Sequence, residues 1–128
     1  MKNNILLVED DVFIKQMYSN KIEELGLTVY TASNNDEFKD IINKYDFDLV
    51  LLDLVLPNIS GFDILKVLKK DDRLKNIPVI ILSNLSSQTD VNQAFNLGAV
   101  DYIVKSNYTP AEVMRTIQKY LPSENNNT

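Results

Sequence analysis

The chain has 128 residues, 45% hydrophobic and 24% charged, with 18 acids against 13 bases and neither cysteine nor histidine. That is the size and composition of one globular domain, long enough to bury a core without disulfide or metal staples. It excludes disulfide frameworks, thiolate zinc sites, histidine metal sites, histidine-based catalytic triads and any phosphohistidine of the chain's own.

The net charge of −5 argues against nucleic-acid or anionic-membrane binding by this domain, since both need a basic face. The opening Met1-Lys2-Asn3-Asn4 leads into an apolar run too short for a signal peptide, and no run approaches a membrane span. The expectation is a soluble, cytoplasmic protein.

Ile5-Leu6-Leu7-Val8 is the first of five short apolar runs. Behind it Ile14, Met17, Tyr18, Ile22 and Leu25 recur at helical spacing, and Gly26 follows as a helix stop. Leu27 to Ala32 is the second run, followed by a helical face of Phe38, Ile41, Ile42 and Tyr45. Leu49 to Leu52 precedes a third helix bearing Phe62, Leu65 and Leu68. Val79 to Leu82 precedes a fourth with Val91, Ala94, Phe95 and Leu97, closed by Gly98. Tyr102 to Val104 precedes a fifth with Val113, Met114, Ile117, Tyr120 and Leu121. Thr109-Pro110-Ala111-Glu112 reads as its capping box, with proline at the first helical position.

Continuous β-branched runs suit strands buried on both faces. Strands alternating with helices imply a doubly wound α/β fold around a parallel sheet. In such sheets ligands bind beyond the carboxyl ends of the strands. Glu9, Asp10 and Asp11 follow the first strand, Asp53 the third, Ser83 the fourth and Lys105 the fifth. Three converging carboxylates, Glu9, Asp10 and Asp53, are costly without a cation. Hard oxygen ligands suit Mg2+, with Mn2+ as a substitute. Mg2+, an ammonium and a hydroxyl can balance three phosphoryl oxygens, which points to phosphoryl transfer onto a carboxylate. Each residue also has an ordinary reading: Asp10 or Asp11 as a helix cap, Asp53 as a strand end, Lys105 and Ser83 as surface and loop residues.

The chain resembles a response-regulator receiver domain over residues 4–121. The resemblance rests on Ile5 to Asp11, Asp48 to Asp53, Leu56-Pro57 followed by Gly61, Pro78 to Ser83, and Gly98 to Lys105. It implies a flavodoxin-like (βα)5 fold with five parallel strands in the order 2-1-3-4-5. It implies a receiver over residues 1–122, and the low-complexity polar composition of residues 123–128 reads as a frayed tail. Asp53 would accept a phosphoryl group from a histidine kinase or histidine phosphotransfer protein. Asp10 would bind Mg2+ directly, Glu9 through water, and Val55 through its backbone carbonyl. Ser83 and Lys105 would contact the phosphoryl group, and Tyr102 would turn inward as the switch aromatic. A downstream protein or effector domain would read the face formed by the fourth helix, fifth strand and fifth helix. Two expectations stand side by side, a single-domain regulator acting through protein contact, which the sparse charge of the fourth helix weakly supports, and a receiver belonging to a longer protein such as a transcription factor or hybrid kinase. Beyond Mg2+-dependent self-phosphorylation and autodephosphorylation, no enzyme activity is implied.

The departures from the family pattern are specific. Ser106 stands after Lys105 where the family usually has proline after a cis bond. A cis bond before serine costs about 2.5–4 kcal/mol, so either the site supplies that energy or the loop takes another path. Asn84 stands after Ser83 where a small residue is usual. Val55 and Leu85 are apolar at positions flanking the site and are expected to hinder hydrolysis of the aspartyl-phosphate. Ser60 carries no assigned meaning. The main alternative is a pseudo-receiver, the same fold serving as a phosphorylation-independent binding module. A flavin domain would need phosphate-binding amides where this chain has acids. A haloacid-dehalogenase-type phosphatase would need a second aspartate at Val55.

Overall fold

A computed structural model describes residues 3–122. Strand β1 (Asn4–Val8) leads to helix α1 (Val12–Glu24), β2 (Thr28–Ala32) and α2 (Asn35–Ile42). Then come β3 (Leu49–Leu52), α3 (Gly61–Lys70), β4 (Val79–Ser83), α4 (Gln88–Asn96), β5 (Asp101–Val104) and α5 (Pro110–Lys119). A single 3-10 turn, Lys105–Asn107, joins β5 to the approach to α5. The sheet is parallel throughout, in the order β2-β1-β3-β4-β5. The expected tail at 123–128 lies outside the described residues.

The continuous apolar runs are explained by two cores, one on each face. Strand residues Ile5, Leu7, Leu49, Leu51, Ile80, Leu82 and Ile103 bury against Tyr18 and Ile22 of α1 and Val113, Met114 and Ile117 of α5. Their alternates Leu6, Val8, Val50, Leu52, Val79 and Ile81 bury against α2, α3 and α4. Side chains alternate across a strand, so only an apolar residue at every position serves both faces.

The helix ends follow the local chemistry. Asp11 accepts from the amides of Phe13 and Ile14, both at 2.9 Å, so it is the cap of α1. Ser60 caps α3 through the Phe62 amide at 3.1 Å, which gives that residue a definite role. Gly26 and Gly98 adopt φ of 82° and 109°, the left-handed turn that ends α1 and α4.

Six residues depart from their expected helices: Tyr120 caps α5 and Leu121 lies past its end, though both still pack on the core. Tyr45 lies past the end of α2 and stacks on Tyr30, with ring centroids 4.1 Å apart. Phe95 is on α4 but exposed, and Leu25 is an exposed cap residue. Leu97 is the cap residue of α4 rather than part of the helix.

Candidate functional site

The sheet register delivers the acids to one edge. The Asp53 amide donates to the Val8 carbonyl at 3.0 Å, and the Glu9 amide to the Ala32 carbonyl at 2.9 Å. Both residues therefore continue the strand ladders by one step, and their side chains emerge side by side. Carboxylate oxygens of Glu9, Asp10 and Asp53 lie within 4.8 Å of one another. Glu9 and Asp53 are buried, whereas Asp10 is exposed.

β4 pairs with β5 so that Ser83 stands opposite Val104. Lys105, the next residue, sends its amine back across the edge. Lys105 Nζ donates to Asp53 Oδ2 at 3.0 Å and also to Glu9 Oε1. The three side chains are almost wholly buried together. Burial opposes charge on Glu9 strongly enough to hold its carboxyl above the ordinary value despite the amine. Burial also pulls down on the Lys105 amine, but its bonds to Glu9 and Asp53 outweigh that and raise it.

The loop after β3 is held against the site from below. The Gly61 amide donates to the Leu54 carbonyl at 2.9 Å, and Val55 bridges Ser60. A Cβ on Gly61 would overlap the Asp53 carbonyl oxygen and come within 2.6 Å of Leu54 Cα. Glycine is therefore required there by crowding. The Val55 amide donates to Asp53 Oδ1 at 3.2 Å, fixing the carboxylate's rotation.

Ser83 is fully buried, and its Oγ accepts from the Leu85 amide at 3.3 Å. The Tyr102 hydroxyl donates to the Leu85 carbonyl at 2.5 Å, with the ring turned into the core. Burial pushes that phenol up to about 12, with help from Asp90 and Asp53, so it remains a donor at neutral pH. The Leu85 backbone thus joins Ser83 and Tyr102, a link that has no residue-type signature in the sequence. The Leu85 side chain is half-buried against the α2–α4 core, whereas Val55 is 56% exposed on the cleft above Asp53. The expected apolar flank is therefore Val55 on one side, not a pair.

No peptide bond among the described residues is cis, so the Lys105–Ser106 loop takes the other path. The amine reaches the acids all the same.

The acids, the amine and the cleft of about 320 Å3 between them suit a hard cation and a phosphoryl-sized anion. The donor set fits Mg2+. It offers only oxygen ligands, and Lys105 alone does not offset three carboxylates.

A doubly wound parallel sheet with three carboxylates and a lysine at its carboxyl edge defines a class of signalling receiver domain. The family model described as response regulator receiver domain matches residues 5–118, and the chain belongs to that family. The chain is 32% identical to the probable transcriptional regulator ycf29 of Porphyra purpurea, over 94% of this chain and 57% of that protein. It is 35% identical to the DNA-binding dual master transcriptional regulator RpaA of Synechocystis, over 79% of this chain and 42% of that protein. The chain thus spans about half the length of the curated relatives it matches. The chemotaxis protein CheY4 of Vibrio cholerae superimposes with a TM-score of 0.87 at 26% identity, covering 94% of this chain and all of that one. The protein is a receiver domain of two-component signalling. Among the described residues, no helix is long and apolar enough to cross a membrane.

Proposed function

We propose that Asp53 accepts a phosphoryl group from the phosphohistidine of a histidine kinase or histidine phosphotransfer protein. The observation that carries this reading is the Lys105 amine, brought from the end of β5 onto Asp53 and Glu9. A lysine buried against two acids is a poised counter-charge for a dianion rather than a surface residue. An Asp53 carboxylate oxygen bonds to phosphorus as the donor's nitrogen–phosphorus bond breaks, and the imidazole leaves with the electron pair. Glu9, Asp10, Asp53 and the Val55 carbonyl would hold Mg2+, which supplies neutralisation of the phosphoryl charge.

Ser83 gives its hydroxyl to the new phosphoryl oxygen, and Lys105 follows the charge. Movement of Ser83 pulls on the Leu85 backbone and hence on Tyr102. That biases the face of α4, β5 and α5 between two arrangements, which a partner protein or effector domain reads. The net charge of −5 supports a protein rather than nucleic acid as the domain's own partner, and a cytoplasmic setting follows from a kinase donor.

The test is intact mass after incubation with acetyl phosphate and Mg2+, beside Asp53→Asn. One phosphoryl adduct, absent in the variant and absent without Mg2+, is expected. A folded wild-type protein that gains no adduct and binds no beryllofluoride would overturn the reading in favour of a phosphorylation-independent binding module.

A further inference from the structure

The two departures flanking the site meet each other. Asn84 follows Ser83 at the end of β4, and Ser106 follows Lys105 at the end of β5. The Ser106 amide donates to Asn84 Oδ1 at 3.1 Å, across 22 residues of sequence. The turn Lys105–Asn107 has no side-chain cap of its own, and its early amides lack partners within the turn. Apart from the amine's own ion pairs, the Asn84 bond is, among the described residues, the side-chain tie between this turn and the rest of the site. Asn84 and Lys105 also both line the cleft over Asp53 and a second cleft of about 280 Å3 beside it, next to Tyr108.

A lysine's four-carbon stem is flexible, so where its amine rests depends on where its backbone is held. Ser106 is the residue that anchors that backbone, and only a residue with an amide hydrogen can do so here. We propose that Asn84 is a positioning residue for Lys105: its side-chain amide clamps the Lys105–Asn107 turn and so sets the amine over Asp53. Ser83 and Asn84 being neighbours, the clamp also makes the lysine follow the strand end that carries the hydroxyl. The activity readout of this inference rests on the phosphoacceptor reading; its spectroscopic readout does not.

The full chain is compared with Asn84→Ala, which removes the acceptor, and Ser106→Ala, which keeps the amide donor. Three quantities are read: amide exchange at Ser106 and the Lys105 side-chain resonances by NMR, Mg2+ affinity, and beryllofluoride affinity at saturating Mg2+. For Asn84→Ala, faster Ser106 exchange and shifted Lys105 resonances are expected. Its beryllofluoride affinity should fall about three- to tenfold, because misplacing a reacting group by even 1 Å costs up to about a hundredfold. Its Mg2+ affinity should not fall, since the acids are untouched, whereas general damage to the fold would lower both. Ser106→Ala should match the wild type. Unchanged Lys105 resonances in Asn84→Ala would overturn the proposal, as would wild-type beryllofluoride affinity. If the wild type binds no beryllofluoride, the phosphoacceptor reading fails, and the Lys105 resonances alone decide the clamp: shifted resonances support it and unchanged ones sink it.

Discussion

Gly61 and Lys105 show how little of a residue's role lies in its type alone. Glycine usually signals a turn with positive φ, yet Gly61 begins a helix and serves by having no side chain. The space its Cβ would occupy belongs to the backbone of Asp53 and Leu54, which cannot yield without moving Asp53. Gly61→Ala should therefore lose about 1–3 kcal/mol, the usual cost of overpacking. It should do so although alanine favours helices. Urea denaturation checks this, and a stabilised variant would show that the loop after β3 can shift. Lys105 could be picked out in the sequence as a candidate because it follows a strand. Its two carboxylate partners come from 96 and 52 residues away, so the pairing exists only in the folded sheet.

At the scale of elements, the clearest local signal is the start of α5. The Thr109 amide donates to Glu112 Oε1 at 2.8 Å, and the Glu112 amide to Thr109 Oγ1 at 3.1 Å. These bonds hold the Glu112 carboxyl below its ordinary 4.5. A carboxyl depressed by folding stabilises the fold above its unfolded pKa and loses that contribution as pH falls through the folded value. Glu112→Ala should therefore melt below the wild type at about pH 7. The gap should narrow progressively as pH drops beneath 4.5. Thermal melts across that range check the sign, and a gap that widens on acidification would refute it. Strands β1, β3 and β4 were legible for the same local reason, since a run apolar at nearly every position has no exposed face to offer. The ends of α1, α2 and α4 were read less well. Leu25 and Leu97 cap their helices because the glycine after each turns the chain left-handed, and Tyr45 leaves α2 to stack on Tyr30, where a tertiary partner outweighs the apolar spacing.

For the whole molecule, the buried Glu9–Lys105–Asp53 network ties three strand ends together at the edge where the site lies. Removing one partner of such a network leaves charge without compensation, typically at a cost of about 3–5 kcal/mol. Lys105→Met should lower stability by about that amount in chelator. Saturating Mg2+ should raise the variant's stability above its value in chelator, because a ligand that binds only the folded state stabilises it by mass action. Chemical denaturation with and without Mg2+ decides this, and a variant whose stability is indifferent to Mg2+ would mean that the acids do not share a cation. The sequence by itself determined the parallel α/β architecture, the strand ends that face one edge, the acids, serine and lysine they carry, and the family. Periodicity, caps and motif spacing are local, so they survive in one dimension. Only the tertiary structure decided that Lys105 pairs with both Glu9 and Asp53 and that Gly61 lies against the Asp53 backbone. The same holds for the Leu85 backbone joining Ser83 to Tyr102, and for Asn84 holding the turn after Lys105. Each of these joins positions far apart or uses backbone atoms common to every residue, so no spacing or residue type could announce it.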